Sequence, residues 1–306
     1  MSILATIGHT RLVPLRHLVP QGSARILIKL EYENPTGSMK DRMALAMVEA
    51  AEADGRLKPG GSVVEYTGGS TGVSLAFVCA AKGIPLQIVT SEAFSKEKRD
   101  HMRALGAQLT LVSSPTGGTT KALTLEMIET ARRLAAAPGC YWTDQLNNTD
   151  QLACYERMGE EIWEQARGHI SAFVQSVGTA GSLRGISTCL RSHDPSVRIV
   201  AVEPEESAVL SGRPSGSHKI EGTGAGFVVP LWHDKLADEI QPVSSREAME
   251  TARVLARHEG VFAGTSTGAN IVAALRVAKR LGPDHTVVTL AVDSGMKYLS
   301  TPLYAG

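Results

Sequence analysis

The 306-residue chain predicts an α/β protein of two lobes, each a mostly parallel sheet covered by helices. Three observations predict it. Short β-rich runs alternate with longer helical patterns through both halves, the pattern of parallel strands joined by crossover helices. Hydrophobic content is 43% with only 5% aromatic, and an Ala-, Val- and Leu-rich core suits helix-and-sheet layers better than a β-sandwich. The length exceeds one average domain, and the alternation pauses near residues 140–150. The expected lobes are 1–145 and 146–306.

The elements follow in order. A strand over 25–31 precedes a helix over 43–55, whose apolar residues recur at helical spacing. A strand over 62–66 leads to an Ala-rich helix over 73–83, with Gly83 as C-cap and Pro85 just beyond it. Strand 86–90 precedes the charged helix 95–106, and strand 107–112 precedes helix 119–136. The second half repeats the rhythm: helix 150–165, strand 171–177, helix 181–192, strand 198–204, helices 245–260 and 268–282, and strand 285–293. The last strand is continuously apolar, as in a parallel strand covered on both faces. Residues 205–230 break the rhythm. This Gly-, Ser- and Pro-rich stretch has no period, and a loop that long in a compact chain is functional or mobile.

Bulk charge narrows the partners. Thirty-one basic residues balance thirty-one acidic ones, so nucleic acid and anionic membranes are not expected partners. Four scattered cysteines without a CxxC pair read as buried thiols. Nine histidines show no HExxH or HxxxH spacing, so no metal is expected. The start lacks a signal-peptide pattern and no run of about 18 apolar residues is present, which reads as a cytoplasmic protein.

Three glycine-containing loops follow strands or open helices: Thr67-Gly68-Gly69-Ser70-Thr71-Gly72, Gly178-Thr179-Ala180-Gly181-Ser182 and Gly264-Thr265-Ser266-Thr267-Gly268. Helix N-termini offer unpaired N–H groups and partial positive charge to anions. None of the loops matches GxGxxG or GxxxxGK[ST], so dinucleotide and Walker-type readings fail. A single loop of this kind reads as a helix cap. Three of them, with Lys40 at a fourth loop–helix junction, point to a small phosphorylated or carboxylated ligand. A lysine in a partly dry anion-binding cleft is placed to form a Schiff base with an aldehyde cofactor; alone, Lys40 would read as an ordinary surface lysine.

The segment "NPTGSMKDR" around Lys40 resembles the lysine motif of fold-type II pyridoxal-phosphate enzymes, the tryptophan synthase β-like fold, and in particular the cysteine synthase and cystathionine β-synthase group. Further segments are similar in the same order: "IGHTRLVPLRHL" (7–18), "EYTGGSTG" (65–72), "SVGTAGSLRG" (176–185), "EGTGAGF" (221–227), "GTSTGAN" (264–270) and "VDSGMKYLST" (292–301). "DQLNNTDQ" and "GEEIWEQ" are closest to the cysteine synthase B type. The resemblance covers essentially the whole chain and implies that the first ~35 residues cross to the other lobe.

It also implies roles. Lys40 would hold pyridoxal 5'-phosphate and then act as the base at the substrate Cα. Gly178, Thr179, Ala180, Gly181 and Ser182 would cradle the phosphate. Ser266, or Thr267 if the register shifts by one, would face the pyridine nitrogen; a neutral hydroxyl there favours β-elimination and β-replacement over transamination. Thr67, Gly68, Gly69, Ser70 and Thr71 would bind the substrate α-carboxylate, with Gln145 as a further donor and Ser70 also near the cofactor. Asp293 and Ser294 would close the pyridine end, and 205–230 would close over the bound carboxylate.

The first loop departs from the expected Thr-Ser-Gly-Asn-Thr-Gly: Gly68 replaces a serine and Ser70 an asparagine. Lost donors in a buried site cost about 1–3 kcal/mol each, so substrate choice is what the departures touch. The implied activity is β-replacement on a β-substituted L-alanine, with O-acetylserine and sulfide giving cysteine and acetate as the leading case. Cystathionine-forming β-replacement, serine/threonine dehydration and a catalytically decayed cofactor-binding regulator remain open. A small nucleophile is the expected second substrate, and a homodimer the expected assembly.

Overall fold

The computed structural model describes residues 2–115 and 117–305. Among them lie ten strands and eight α-helices. In chain order these are β1 (Leu12–Pro14), β2 (Arg25–Leu30), α1 (Lys40–Asp54), β3 (Ser62–Tyr66), α2 (Ser70–Lys82), β4 (Leu86–Thr90), α3 (Lys96–Ala104), β5 (Gln108–Leu111), α4 (Lys121–Ala135) and β6 (Cys140–Trp142). There follow α5 (Gln151–Gln165), β7 (Ala172–Ser176), α6 (Gly181–His193), β8 (Arg198–Pro204), β9 (Glu239–Val243), α7 (Ser245–Glu259), α8 (Thr265–Leu281) and β10 (Thr286–Ala291).

The strands form two sheets. One has the order β5-β4-β3-β6, all parallel; the other runs β1-β2-β10-β7-β8-β9, parallel except for the β1–β2 pair. This is the predicted α/β architecture. The second sheet takes its first two strands from the start of the chain: β2 pairs in parallel with β10, Arg25 opposite Thr286 and Leu30 opposite Ala291. Its central strands are buried along their length, β7 and β10 without a single exposed position, as parallel strands covered on both faces must be.

Every predicted strand and helix is present, and the differences have physical causes. Strands β1 and β6 are three residues long and β9 carries Pro242 at the sheet edge, so none has a periodic signal. Helices α1, α2 and α8 begin three residues earlier than their apolar periodicity, at Lys40, Ser70 and Thr265. Their first turns are polar and are held by the site instead of the core. Residues 208–238 contain no helix or strand. The stretch is anchored all the same: buried Glu203 accepts from the Leu210 and Ser211 N–H groups at 2.8 and 3.0 Å, and Gly224 N–H donates to Val177 O at 3.2 Å.

One buried ionic cluster ties the halves together. Arg42 on α1 donates to both oxygens of Glu31 at 2.8 Å and to both oxygens of Glu161 on α5 at 2.7 and 2.8 Å. Lys29 on β2 reaches Glu161 at 2.7 Å and Thr10 O at 2.6 Å. Two cations and two carboxylates are thus balanced next to the residue that opens α1. On the outer face of α5 and α6, Glu160, Cys189 and His193 bring their polar atoms within 4.8 Å of one another. Hydrogen bonds join them, Cys189 Sγ donating to Glu160 at 3.2 Å and the His193 ring meeting the same carboxylate at 2.7 Å.

Candidate active site

The site starts from the turn that delivers Lys40. Gly37 adopts φ +72°, and Asp41 fixes the turn by accepting from Thr36 N at 2.8 Å, Thr36 Oγ1 at 2.5 Å and Ser74 Oγ at 2.6 Å. Met39 N–H donates to Val292 O at 3.0 Å, and Ser38 bridges to Asp293. Lys40, the first residue of α1, is thereby held at the end of β10 and lines the main cleft. Its ammonium has no hydrogen bond or ion pair among the described residues. Burial pulls its pKa down to about 8 against the opposing pull of Asp293, so the neutral amine is accessible near physiological pH.

Thr67 to Thr71 line the same cleft, at the N-terminus of α2. Their side chains are engaged inside the protein. Thr67 Oγ1 accepts from Gly69 N–H at 2.9 Å, Ser70 Oγ donates to Asp293 Oδ2 at 2.7 Å, and Thr71 Oγ1 donates to Gln145 Oε1 at 2.8 Å. Gln145 also lines the cleft, and its amide donates to Tyr66 O at 2.7 Å.

The second loop divides. Gly178 and Thr179 line the cleft; Ala180, Gly181 and Ser182 stand behind it at the start of α6. Ser182 Oγ accepts from Gln175 at 2.5 Å, and Thr179 Oγ1 accepts from Gly181 N–H at 3.2 Å while donating to Gln151 at 3.1 Å. A side chain on Gly178 would lie 2.5 Å from Gly222 O, so glycine is required there. Ala180 sits at φ +68°, a left-handed conformation costing an L-residue about 1 kcal/mol. Ala180→Gly is expected to stabilise the cofactor-free protein by about that amount, read as a rise in thermal midpoint.

At the start of α8, Ser266 lines the cleft and its hydroxyl has no hydrogen-bond partner among the described residues, whereas Thr267 is buried and accepts from Val292 N–H at 3.0 Å. Of the two candidates for the pyridine end, only Ser266 faces the space. Asp293 lines the cleft, while Ser294 turns away to cap the following turn at Met296.

Sequence reasoning singled out neither Lys98 nor Phe94, and the segment 221–227 without its Glu221. The Phe94 ring fills the space a Gly68 side chain would take, 2.8 Å from an ideal Cβ. The Lys98 stem lies across Gly69, which adopts φ +144°. Lys98 Nζ pairs with Glu221 at 2.7 Å, donates to Tyr298 OH at 3.0 Å and stands 4.1 Å from that ring. In "SKEKRDHM" such a lysine reads as solvated. The one signal is its spacing of four from Met102, the other buried residue of α3.

Near Asp293, Lys297 is buried with no hydrogen-bond partner for Nζ among the described residues, and burial lowers its pKa to about 8 against the attraction of Asp293. Between about 8 and the unfolded value near 10.5 the unfolded chain binds more protons, so stability rises with pH across that window. Lys297→Met is expected to raise stability at pH 7 by roughly 2–3 kcal/mol and to flatten that rise in denaturant titrations.

These residues fit pyridoxal phosphate. A half-buried amine of lowered pKa, an unpartnered hydroxyl across the cleft and a glycine-lined helix start are the parts a covalently held aldehyde with a phosphate needs. The comparisons agree. Residues 3–293 match the family model described as pyridoxal-phosphate dependent enzyme, and the chain belongs to that family. A cysteine synthase of Staphylococcus aureus strain Mu50 is 43% identical over 99% of this chain and 97% of its own length. The crystal structure of a cysteine synthase from Entamoeba histolytica superposes with a TM-score of 0.90 at 36% identity, covering 99% of this chain and 90% of that one. An O-acetylserine-dependent cystathionine β-synthase from Helicobacter pylori gives 0.92 at 31% identity, covering 99% and 98%. No helix among the described residues is long and apolar enough to cross a membrane.

Proposed function

We propose that the protein is a cysteine synthase: it replaces the acetoxy group of O-acetyl-L-serine with sulfide, giving cysteine and acetate. The observation that carries this reading is Lys40, an unpaired amine of lowered pKa facing Ser266 across one cleft. The full-length likeness to cysteine synthases supports the substrates.

When bound, pyridoxal phosphate supplies the electron sink for the pair left when the Cα–H bond breaks. Lys40 would hold it and, once displaced, take the Cα proton on Nζ. Gly178 to Ser182 would hold its phosphate through the N–H groups at the start of α6. Ser266 would meet the pyridine nitrogen as a neutral partner, which leaves a weaker sink and favours prompt loss of a β-substituent. Thr67 to Thr71 would receive the α-carboxylate mainly through backbone N–H groups of the α2 N-terminus, since the Ser70 and Thr71 hydroxyls donate elsewhere. Gln145 braces that loop through Thr71.

The departures at Gly68 and Ser70 are filled by Phe94 and Asp293, a coordinated rebuilding that favours an active enzyme over a decayed one. We assign the lobes to 1–145, less the segment crossing to the larger sheet, and 146–306. We further assign closure of the site to 205–230, a homodimeric assembly and a cytoplasmic location. Light scattering is expected to give twice the 32.5 kDa chain mass.

The test is the visible spectrum of the purified holoenzyme. Addition of O-acetyl-L-serine is expected to convert the lysine-linked cofactor band to a new one, and sulfide to restore it with release of cysteine. A band that does not respond overturns the substrate and leaves the cofactor in place.

A further inference from the structure

We propose that Lys98 is the charged partner of the substrate α-carboxylate, and that Glu221 holds its place in the unliganded protein. The inference rests on the β-replacement reading and names how that site grips its amino acid.

The need for such a group comes from the carboxylate loop itself. Gly68 brings no side chain, and the Ser70 hydroxyl, the Thr71 hydroxyl and the Gln145 amide each donate to protein oxygens at 2.7, 2.8 and 2.7 Å. What remains is the Thr67 hydroxyl, which only accepts from Gly69 N–H, the second N–H of the Gln145 amide, backbone N–H groups and the partial charge of a helix start, neutral donors that make a modest anchor for a full negative charge. Lys98 lies directly against this loop. Its stem crosses Gly69, where any side chain would collide with it, and Lys98 lines the same cleft as Thr67 to Thr71.

Lys98 is clamped along its stem and at its head, whereas Glu221 is held at its backbone, its N–H donating to Thr265 Oγ1 at 3.0 Å, and its side chain reaches solvent. Lys98 is 2% exposed, clamped by Gly69, by the Tyr298 ring at 4.1 Å and by the Tyr298 hydroxyl at 3.0 Å. Glu221 sits in a stretch without helix or strand, its side chain 16% exposed, and is followed by Gly222, Gly224 and Gly226, all at positive φ. The exchange needs only the Glu221 side chain to swing toward solvent by χ rotation. A free carboxylate entering the cleft meets an ammonium already held by a carboxylate at 2.7 Å. The exchange replaces one charge-assisted hydrogen bond with another, and Glu221 returns to water. Asp293 Oδ2 stands 4.0 Å from Lys98 Nζ, a second carboxylate beside the ammonium when Glu221 leaves it.

The test uses holoenzyme and two ligands of one shape, S-methyl-L-cysteine and its α-carboxamide. Binding is measured by calorimetry beside the visible band. The parent is expected to prefer the carboxylate strongly. Lys98→Met, which keeps the stem over Gly69, is expected to cut that preference roughly 10- to 100-fold with carboxamide affinity unchanged. Glu221→Gln, which removes the competing anion, is expected to tighten carboxylate binding roughly tenfold, and Lys98→Arg to retain the preference. An undiminished preference in Lys98→Met overturns the proposal. So does Glu221→Gln weakening both ligands alike, which would make the pair a clasp between α3 and the loop. If Lys98→Met does not fold, Glu221→Gln decides alone. A parent whose band and heat respond to neither ligand defeats the β-replacement reading instead.

Discussion

Lys40→Ala leaves a folded protein that lacks the lysine-linked visible band and loses activity by at least roughly 10²–10⁴-fold, the range for removing a positioned base, with the lost covalent link adding to it. The two effects separate by rescue: a small primary amine added to the cofactor-loaded variant restores part of the rate as base but not the protein-linked band. Stability moves the other way. Lys40 is pushed down to about 8 by burial, so its charged form is disfavoured by the fold at pH 7. The cofactor-free variant therefore melts no lower than the cofactor-free parent. It also loses its part of the stability gain between pH 8 and 10.5, where the parent's unfolded chain binds the extra proton. A variant melting several degrees lower would show that Lys40 braces α1 instead of serving the cleft.

Glu161→Ala has the largest expected effect on stability. It strands Lys29 and Arg42, both buried, beside Glu31 alone. Breaking a buried pair from one side costs about 3–5 kcal/mol, and here one carboxylate serves two cations. Burial pushes the Glu161 carboxyl up, but the hydrogen bonds and charges of Arg42 and Lys29 outweigh it and hold its pKa at about 2. The sign follows: a carboxyl depressed by folding stabilises above its unfolded pKa, and that contribution fades as pH falls from about 4.5 toward 2. Urea titrations from pH 7 to 3 are expected to show Glu161→Gln less stable throughout and its acid limb flatter than the parent's. Equal limbs would place the acid sensitivity elsewhere. Because Arg42 lies two residues from Lys40, the variant is also expected to release cofactor faster, read as decay of the visible band after dilution.

The motif around Lys40 was legible because it is local. Asn34 to Arg42 contain the turn glycine, the Asp41 that ties the turn to Thr36 and Ser74, and the arginine that anchors α1. Gly178 and the Ser266-Thr267 pair were legible for the same reason, since a glycine-lined helix start is written in consecutive residues. The alternation of apolar runs placed every long element, because periodic burial leaves its mark on neighbouring positions.

Phe94 and Lys98 were not legible, and Glu221 and Tyr298 only as members of longer similar segments. Phe94 and Lys98 join the site through partners distant in sequence: Phe94 against Gly68, Lys98 across Gly69 to Glu221 and Tyr298. A lysine in a charged helix carries the same local signature whether it is solvated or sealed beneath a loop. The choice between Ser266 and Thr267 was likewise open until the Val292 N–H claimed the threonine. By itself the sequence determined the α/β class, the order of elements and the lysine we propose for the chemistry, because these follow from periodicity and from motifs within one turn of chain. Only the tertiary structure decided which side chains fill the gaps at Gly68, Gly69 and Ser70, because complementary volumes and opposite charges act through space and leave no spacing along the chain.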